Sequence, residues 1–492
     1  MSRQVFLIEE LCREICCFID PIEDPACLVR LARCSRSLLN PALDVLWKEM
    51  YSMGPLMELI PVVNSKMGPY SNTTITYYLS QPPQAEDWVR FDFYAHRIRT
   101  LYYEHGYRTD GDCKIYGRLA QCRPHPMFPN LRSLVWHHDA AAVFDTSFIE
   151  EVSYFLLPSL RELSMGTQVW DYPAKPDRYP AGEAAEAFML TLTRQCPLLE
   201  SLELQGQIQD MSFSSIRVFR NLQSLNLSAF SMDRPYADID FLSALSDLPC
   251  LHSISGLDAE VAGSSVQIGF PALRSLAFGS VNPTGLIIIL RAITSTSFKS
   301  LSIDSFLDSS QEDISTPLAI LSSFAQLEEI YICFLPWRPK YVVPPIEWFF
   351  CLGHLRKVIL RTHDVRKGWP TMDFVLSERI ALAWPQLEEL SLQCPFRITS
   401  LKPLALLCPN LTTLACNALI TQDDEDDLTN LTQDAPVLSH PLHNLNLDYY
   451  LVPEDYRLIA AVLGRLFPHL VIPTPIISKA SEILPGDLEP KV

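Results

Sequence analysis

The sequence predicts an α/β repeat protein: a short helical block followed by an irregular solenoid, with parallel strands on its concave side and helices on its convex side. Three observations carry this expectation. A Leu-x-x-Leu-x-Leu unit recurs from about residue 97 almost to the C-terminus. The segments between its copies show apolar residues at helical spacing. The first fifty residues hold three short amphipathic stretches punctuated by proline.

Within the helical block, Leu7, Leu11, Ile15 and Ile19 recur at helical spacing, as do Leu28, Leu31, Cys34 and Leu38. Pro21 and Pro25 break the run between the two sets. Pro41 breaks it again and is expected at the first position of a third helix, in Pro41-Ala42-Leu43-Asp44-Val45-Leu46-Trp47. Three such helices bury too little surface to stand alone, so they need a neighbour or a partner chain. The expected boundaries are 1–50 for this block, 51–96 for connecting helices and linker, 97–475 for the repeats and 476–492 for a flexible tail.

In the connecting part, Leu56, Leu59 and Ile60 give residues 51–62 an apolar stripe ended by Pro61. Residues 64–84 are rich in Ser, Asn, Thr, Gly and Pro and read as an irregular linker. Asp87 to His96 reads as a helix, and Arg97 to Tyr103 as the first strand.

The block resembles an F-box, and the whole chain resembles the fungal F-box proteins that carry C-terminal leucine-rich repeats. Leu7, Glu10, Leu11 and Ile15 match the family's opening; Leu28, Leu31, Cys34 and Leu38 its middle; and Pro41, Ala42, Leu43, Leu46 and Trp47 its end. Ile8 stands where the family usually has Pro, which removes a rigid helix start. The resemblance implies that Leu7, Leu11, Ile15, Leu28, Leu31, Cys34, Leu38 and Trp47 serve docking onto the small adaptor subunit of an SCF-type cullin ubiquitin ligase. It implies further that the repeats bind an unknown target protein. The alternative is a block that only caps the repeats of an interaction scaffold.

The repeat anchors are Ile98, Leu131, Leu160, Leu199, Leu222, Leu251, Leu273, Phe298, Leu327, Leu355, Leu387, Leu411, Leu442 and Leu470. Their mean spacing, (470 − 98)/13 or roughly 29 residues, is the upper end of the leucine-rich-repeat period and leaves room for a helix in each unit. Helices are expected at 183–193, at 283–293 behind Asn282 as cap, at 376–383 and at 454–466. The Asn or Cys ladder that normally follows the strand is mostly missing, with Gln207 and Phe230 in its place in two copies. Residues 171–180, with three prolines, read as an excursion, and the acidic run 423–427 as a loop.

A formal charge of −18 argues against nucleic acid and against anionic membrane as partners. No apolar run approaches the ~20 residues of a membrane span, and the N-terminus lacks a secretory h-region. The fourteen cysteines include no Cys-x-x-Cys pair; those at 196, 250, 351 and 408 precede repeat starts as small hydrophobes. A reducing compartment, cytoplasm or nucleus, is expected, with no metal and no cofactor. Phosphate-loop, nucleophile-elbow and zinc-protease motifs are missing, so an enzyme is not expected. The adjacent His137 and His138 would point to opposite faces of a strand. On the concave face, Tyr331, Lys357 and Arg361 are the expected target contacts, because the serine-rich middle, Ser224 to Ser302, offers little to anchor a partner.

Overall fold

The computed structural model describes residues 9–67, 75–105, 115–123, 125–138, 146–167, 181–205, 214–227, 239–259, 269–306, 311–334, 345–362, 371–420, 439–447 and 456–470. Leu7, Ile8, Gln207, Phe230, the expected excursion at 171–180, the acidic run 423–427 and the tail lie outside the described residues. The chain forms two compact units. One comprises Met1–Pro235 with Asp247–Leu251, the other Tyr236–Ser246 with His252–Val492.

The first unit opens with helices α1 (Glu9–Cys17), α2 (Pro25–Cys34) and α3 (Arg36–Leu46). Asp24 caps α2 by accepting from Cys27 N–H at 3.0 Å, with Pro25 at the first helical position. The run Leu28 to Leu38 is not one helix. Ser35 is extended and its hydroxyl caps α3, so the third helix starts at Arg36 and Pro41 lies inside it, not at its start. Cys12, Cys16, Leu28, Leu38 and Ala42 form the core of the three, with Ile19, Leu31, Ala32, Val45 and Leu46 packed against it.

The helices run directly into strand β1 (Glu49–Met50), which pairs in parallel with β4 (Thr100–His105). Between them lie a short helix α4 (Gly54–Met57), a hairpin of β2 (Val63–Met67) and β3 (Ile75–Leu79), and helix α5 (Val89–Ala95). The hairpin corrects the reading of 64–84 as an irregular linker. Ile75-Thr76-Tyr77-Tyr78-Leu79 is a β-branched and aromatic run of the kind that favours strands, and it found a partner strand. The Arg97 guanidinium bonds Asp44 and, at 2.9 Å, Asn40, tying α3 to the entry of β4.

The repeats of this unit continue as β5 (Ser133–His138), β6 (Glu162–Thr167), β7 (Ser201–Leu204) and β8 (Ser224–Asn226). Leu101, Leu134, Leu163, Leu202 and Leu225 stand opposite one another across these strands, and all are buried. Behind β4 to β6 an aromatic layer fills the space that short helices leave. Trp136 stacks on Tyr103 with ring centroids 3.9 Å apart and packs on Phe155 at 5.0 Å.

The second unit holds β9 (Ser253–Ala259), β10 (Ser275–Val281), β11 (Ser300–Phe306), β12 (Glu329–Phe334), β13 (Lys357–Thr362), β14 (Glu389–Arg397), β15 (Thr413–Ile420) and β16 (Asn444–Leu447), each parallel to the next. Ile254, Leu276, Leu301, Ile330, Val358, Leu390, Leu414 and Leu445 form its row of buried residues. The four expected helices are present, at Pro283–Ala292, Phe374–Ala383 and Tyr456–Leu466 here and at Ala181–Gln195 in the first unit, while those at Ile239–Ser246, Gln311–Leu321 and Leu401–Leu407 were not expected. Asn282 accepts from Gly285 N–H at 2.7 Å, which is the cap expected before Pro283. Both units are thus built of leucine-rich repeats, each a strand, a loop and a helical segment. Cys196 and Cys408 are buried, but Cys250 and Cys351 are exposed, so the apolar reading of those two is corrected.

One joint repeats throughout. Within each unit, the carbonyl of the residue after an anchor accepts two N–H bonds from the next repeat, as Arg99 O does from Arg132 and Ser133 at 2.7 and 3.0 Å. Glu328 O does the same from Arg356 and Lys357 at 2.7 and 3.0 Å. Within each unit these bonds set the register of successive parallel strands at their entry.

This register makes a direct prediction. Leu202→Ala, Leu225→Ala, Leu276→Ala or Leu390→Ala should each cost about 2–5 kcal/mol. Ser224→Ala and Ser275→Ala, at half-buried positions one residue earlier, should move the melting temperature little. Equal losses in the two sets of a melting series would refute the assignment.

A second prediction concerns His440, which is buried in the last described repeat. Its Nε2–H donates to Cys408 O at 2.9 Å, while Nδ1 accepts from Leu442 N–H at 3.2 Å. Burial pushes the imidazole pKa below its usual 6.5, since the neutral ring is satisfied and a proton on Nδ1 would face a donor. The stability this contributes is complete above pH ~6.5 and is lost as pH falls below it. Melting followed from about pH 7.5 to 5.5 should therefore fall more steeply in the parent than in His440→Gln; parallel slopes would exclude the ring.

Candidate functional site

The helical block leaves an apolar surface uncovered. Leu11 is 41% exposed on α1, Phe18 just past its end is 87% exposed, and Ile22 in the following turn is 64% exposed. Val29 on α2 and Leu39 on α3 are also exposed, and Ile15 is half-buried. Leu11 and Ile15 are one turn apart on α1, and Phe18 and Ile22 follow beyond its end. Large apolar side chains left in water this close together mark a place where something else packs.

The residues expected to serve the adaptor divide into two groups. Leu11 and Cys34 reach the surface, and Ile15 and Leu31 are half-buried. Leu28, at 0% exposure, and Leu38, at 3%, lie inside the three-helix core and support the surface from beneath. Trp47 is half-buried against Tyr94, ring centroids 4.4 Å apart. Leu7 lies outside the described residues. Phe18 and Ile22 were missed in the sequence because they follow the helix end. No periodicity marks residues beyond a helix end, so the spacing held no signal for them.

The solvent face of the strands carries the other candidate. Arg361 on β13 reaches diagonally to Tyr331 on β12, its guanidinium carbon 6.0 Å from the ring centre. Burial raises the Tyr331 phenol above its usual pKa, and the neighbouring Cys333 thiol is raised by burial as well. Lys357 does not join them: its ammonium is 2.6 Å from Glu389 Oε2 on β14. The structure thus brings Tyr331 and Arg361 together and engages Lys357 elsewhere.

In the first unit the same face carries a network that the sequence did not disclose. His137 Nε2 lies 3.2 Å from Ser164 Oγ, and Ser164 donates to Glu203 Oε2 at 2.9 Å. Gln205 and Asn226 donate to Glu203 Oε1 at 2.7 and 2.9 Å. The Ser164 proton is directed at the carboxylate and not at the imidazole, so this chain orients polar groups without arming a nucleophile. Further along, the exposed Tyr51 stacks on Tyr102, ring centroids 4.7 Å apart. The side chain of His138 is not among those described. No group of three or more His, Cys, Asp or Glu residues able to hold a metal occurs among the described residues. No described helix is long and apolar enough to cross a membrane.

No protein-family model matches the chain, and no curated protein matches it in sequence. Among solved structures it is similar to an internalin (inlF) from Listeria monocytogenes, at 14% identity and a TM-score of 0.37, over 78% of this chain and 92% of the other. It is also similar to a chain of the mouse RP105/MD-1 complex, at 16% identity and a TM-score of 0.34. That likeness covers 72% of this chain and 59% of the other.

Proposed function

We propose that the protein is a substrate-recognition subunit of an SCF-type cullin ubiquitin ligase. The helical block holds the small adaptor subunit, and through it the cullin; the solvent face of the repeats holds a target protein. The observation that carries this reading is the uncovered apolar set Leu11, Phe18 and Ile22, beside the half-buried Ile15, on the block whose sequence resembles an F-box. A block that served only to cap the repeats would turn its apolar side chains inward, and Leu28 and Leu38 already fill that role. The mechanism is positioning: tethering raises the effective concentration of a target lysine at the charged ubiquitin carrier. Tyr331 and Arg361 are the proposed target anchors, a rigid ring with a guanidinium beside it. The compartment that suits this role is cytoplasm or nucleus.

The experiment is capture of the adaptor by the full chain. Leu11→Asp with Phe18→Asp places two charges in an apolar contact, which is costly without partners. Both side chains are exposed, so the double variant should keep its melting temperature while adaptor and cullin are lost from the capture. Leu28→Asp, in the core, should instead lower the melting temperature by unfolding the block. Undiminished capture by the folded double variant would leave the second reading, an interaction scaffold with no ubiquitin role.

A further inference from the structure

The residue after each anchor occupies a fixed station at the entry of its strand. In the first unit these stations are Arg99, Arg132, Arg161, Glu200 and Gln223, with Lys48 before β1 in the equivalent place, joined in chain order by backbone bonds of 2.7 or 2.8 Å from each N–H to the preceding carbonyl. In the second unit the row runs His252, Arg274, Lys299, Glu328, Arg356, Glu388, Thr412 and His443. There the charges answer one another. Lys299 is 2.8 Å from Glu328, and Arg356 lies between Glu328, at 4.0 Å, and Glu388.

The first unit places four cations in succession before the first carboxylate. Arg161 is met by Glu200 at 3.5 Å and Lys48 by Glu49 at 3.4 Å. Arg99 and Arg132 have no carboxylate partner among the described residues. Arg99 donates to Asn130 O at 3.2 Å, and the Arg132 side chain is exposed. Neighbouring strands lie about 4.8 Å apart, and like charges side by side across them are destabilising. The packing does not require successive guanidiniums there, since from Lys299 to Glu388 the equivalent stations of the other unit alternate cation and carboxylate.

These side chains line a cleft of about 1290 Å³, with Arg13, Asn40 and Asp44 of the helical block among the residues around it. Its carboxylates are mostly taken. Glu9 pairs with Arg13 at 3.0 Å, Asp44 with Arg97, and Glu200 with Arg161. Glu162 remains, in register with Ser133 and two strands from Arg99. Arg97, only 7% exposed, and Ser159 also line the cleft, and each keeps one buried polar atom, Nε and Oγ, without a hydrogen-bond partner.

We propose that this cleft binds a phosphate-type polyanion at the Arg99–Arg132 end. Planar guanidinium forks match phosphate oxygens in pairs, and an anion between them converts a repulsion into two charge-assisted contacts. The ligand is either a free oligophosphate or the phosphorylated side chain of a bound protein segment; the chemistry is shared. With a formal charge of −18 on the whole chain, the attraction is local and works against the long-range field. The proposal does not depend on the adaptor reading.

The test is titration calorimetry on the full chain at about 0.15 M salt, with sodium tripolyphosphate and, separately, a peptide carrying one phosphoserine. The parent should bind at least one probe, and which one it binds identifies the source. Arg99→Gln with Arg132→Gln should weaken binding by roughly tenfold per arginine removed, the scale of a charge-assisted hydrogen bond. Arg356→Gln, from the self-compensated row, should bind as the parent does. Without anion, the double variant should melt no lower than the parent, because a repulsion is relieved. Arg132→Gln alone, at an exposed side chain, carries the same expectation if the double variant folds poorly. Binding of neither probe by the parent, or parent-like binding by the folded arginine variants, overturns the proposal.

Discussion

One carbonyl per repeat holds this protein together. Within each unit the oxygen of the residue after a buried anchor takes two N–H bonds from the following repeat, so successive strands enter in the same phase. A slip of one residue would turn every inward leucine to solvent, and the twinned bond at the strand entry prevents it. The rows of buried Leu, Ile and Val, the polar faces beside them and the charged stations at their feet all follow from that one joint. Neighbouring side chains belong to residues 22 to 39 apart in sequence, and 51 apart for Lys48 and Arg99, and they are brought side by side by backbone geometry, not by their own attraction.

Much of this was legible in the chain because the information is local. A Leu-x-x-Leu-x-Leu run fixes a strand's phase by itself, and Asn282 before Pro283 fixes a helix start within four residues. What failed depended on partners further off. The helix of Leu28 to Leu38 was read through Ser35, because apolar spacing survives a break that a hydroxyl cap creates. The hairpin of β2 and β3 was hidden by the polar residues of its first strand, Asn64, Ser65 and Lys66, which carry no alternation. Strand β1, two residues long, has no signature of its own and exists because Lys48 O receives N–H bonds from Arg99 and Thr100 at 2.8 and 3.0 Å.

The candidate surfaces divide in the same way. Helical periodicity identified Leu11 and Ile15 but did not distinguish which apolar residues face a core and which face water. Leu28 and Leu38 look the same in sequence as Leu11, and packing alone separates them. The pairing of Arg361 with Tyr331 and of Lys357 with Glu389 needed the lateral register of three strands. Likewise Glu203 gathers donors from Ser164, Gln205 and Asn226, on three different strands or their ends. Such clusters are columns through the repeats, and a column is visible once the rows have been aligned.

Strand β1 has one more consequence. It covers the entry of β4 with backbone supplied by the helical block itself, and Arg97 with Asp44 locks the same seam with an ion pair from which solvent is largely excluded on the arginine side. A chain cut after residue 50 would present the bare edge of β4, with its unpaired amide and carbonyl groups, to any other strand in solution. The helical block and the first repeat are therefore not interchangeable modules. In gene shuffling they would be inherited as one piece, and a recombination joint that is tolerated here should fall between later repeats, where each side keeps its own completed rungs.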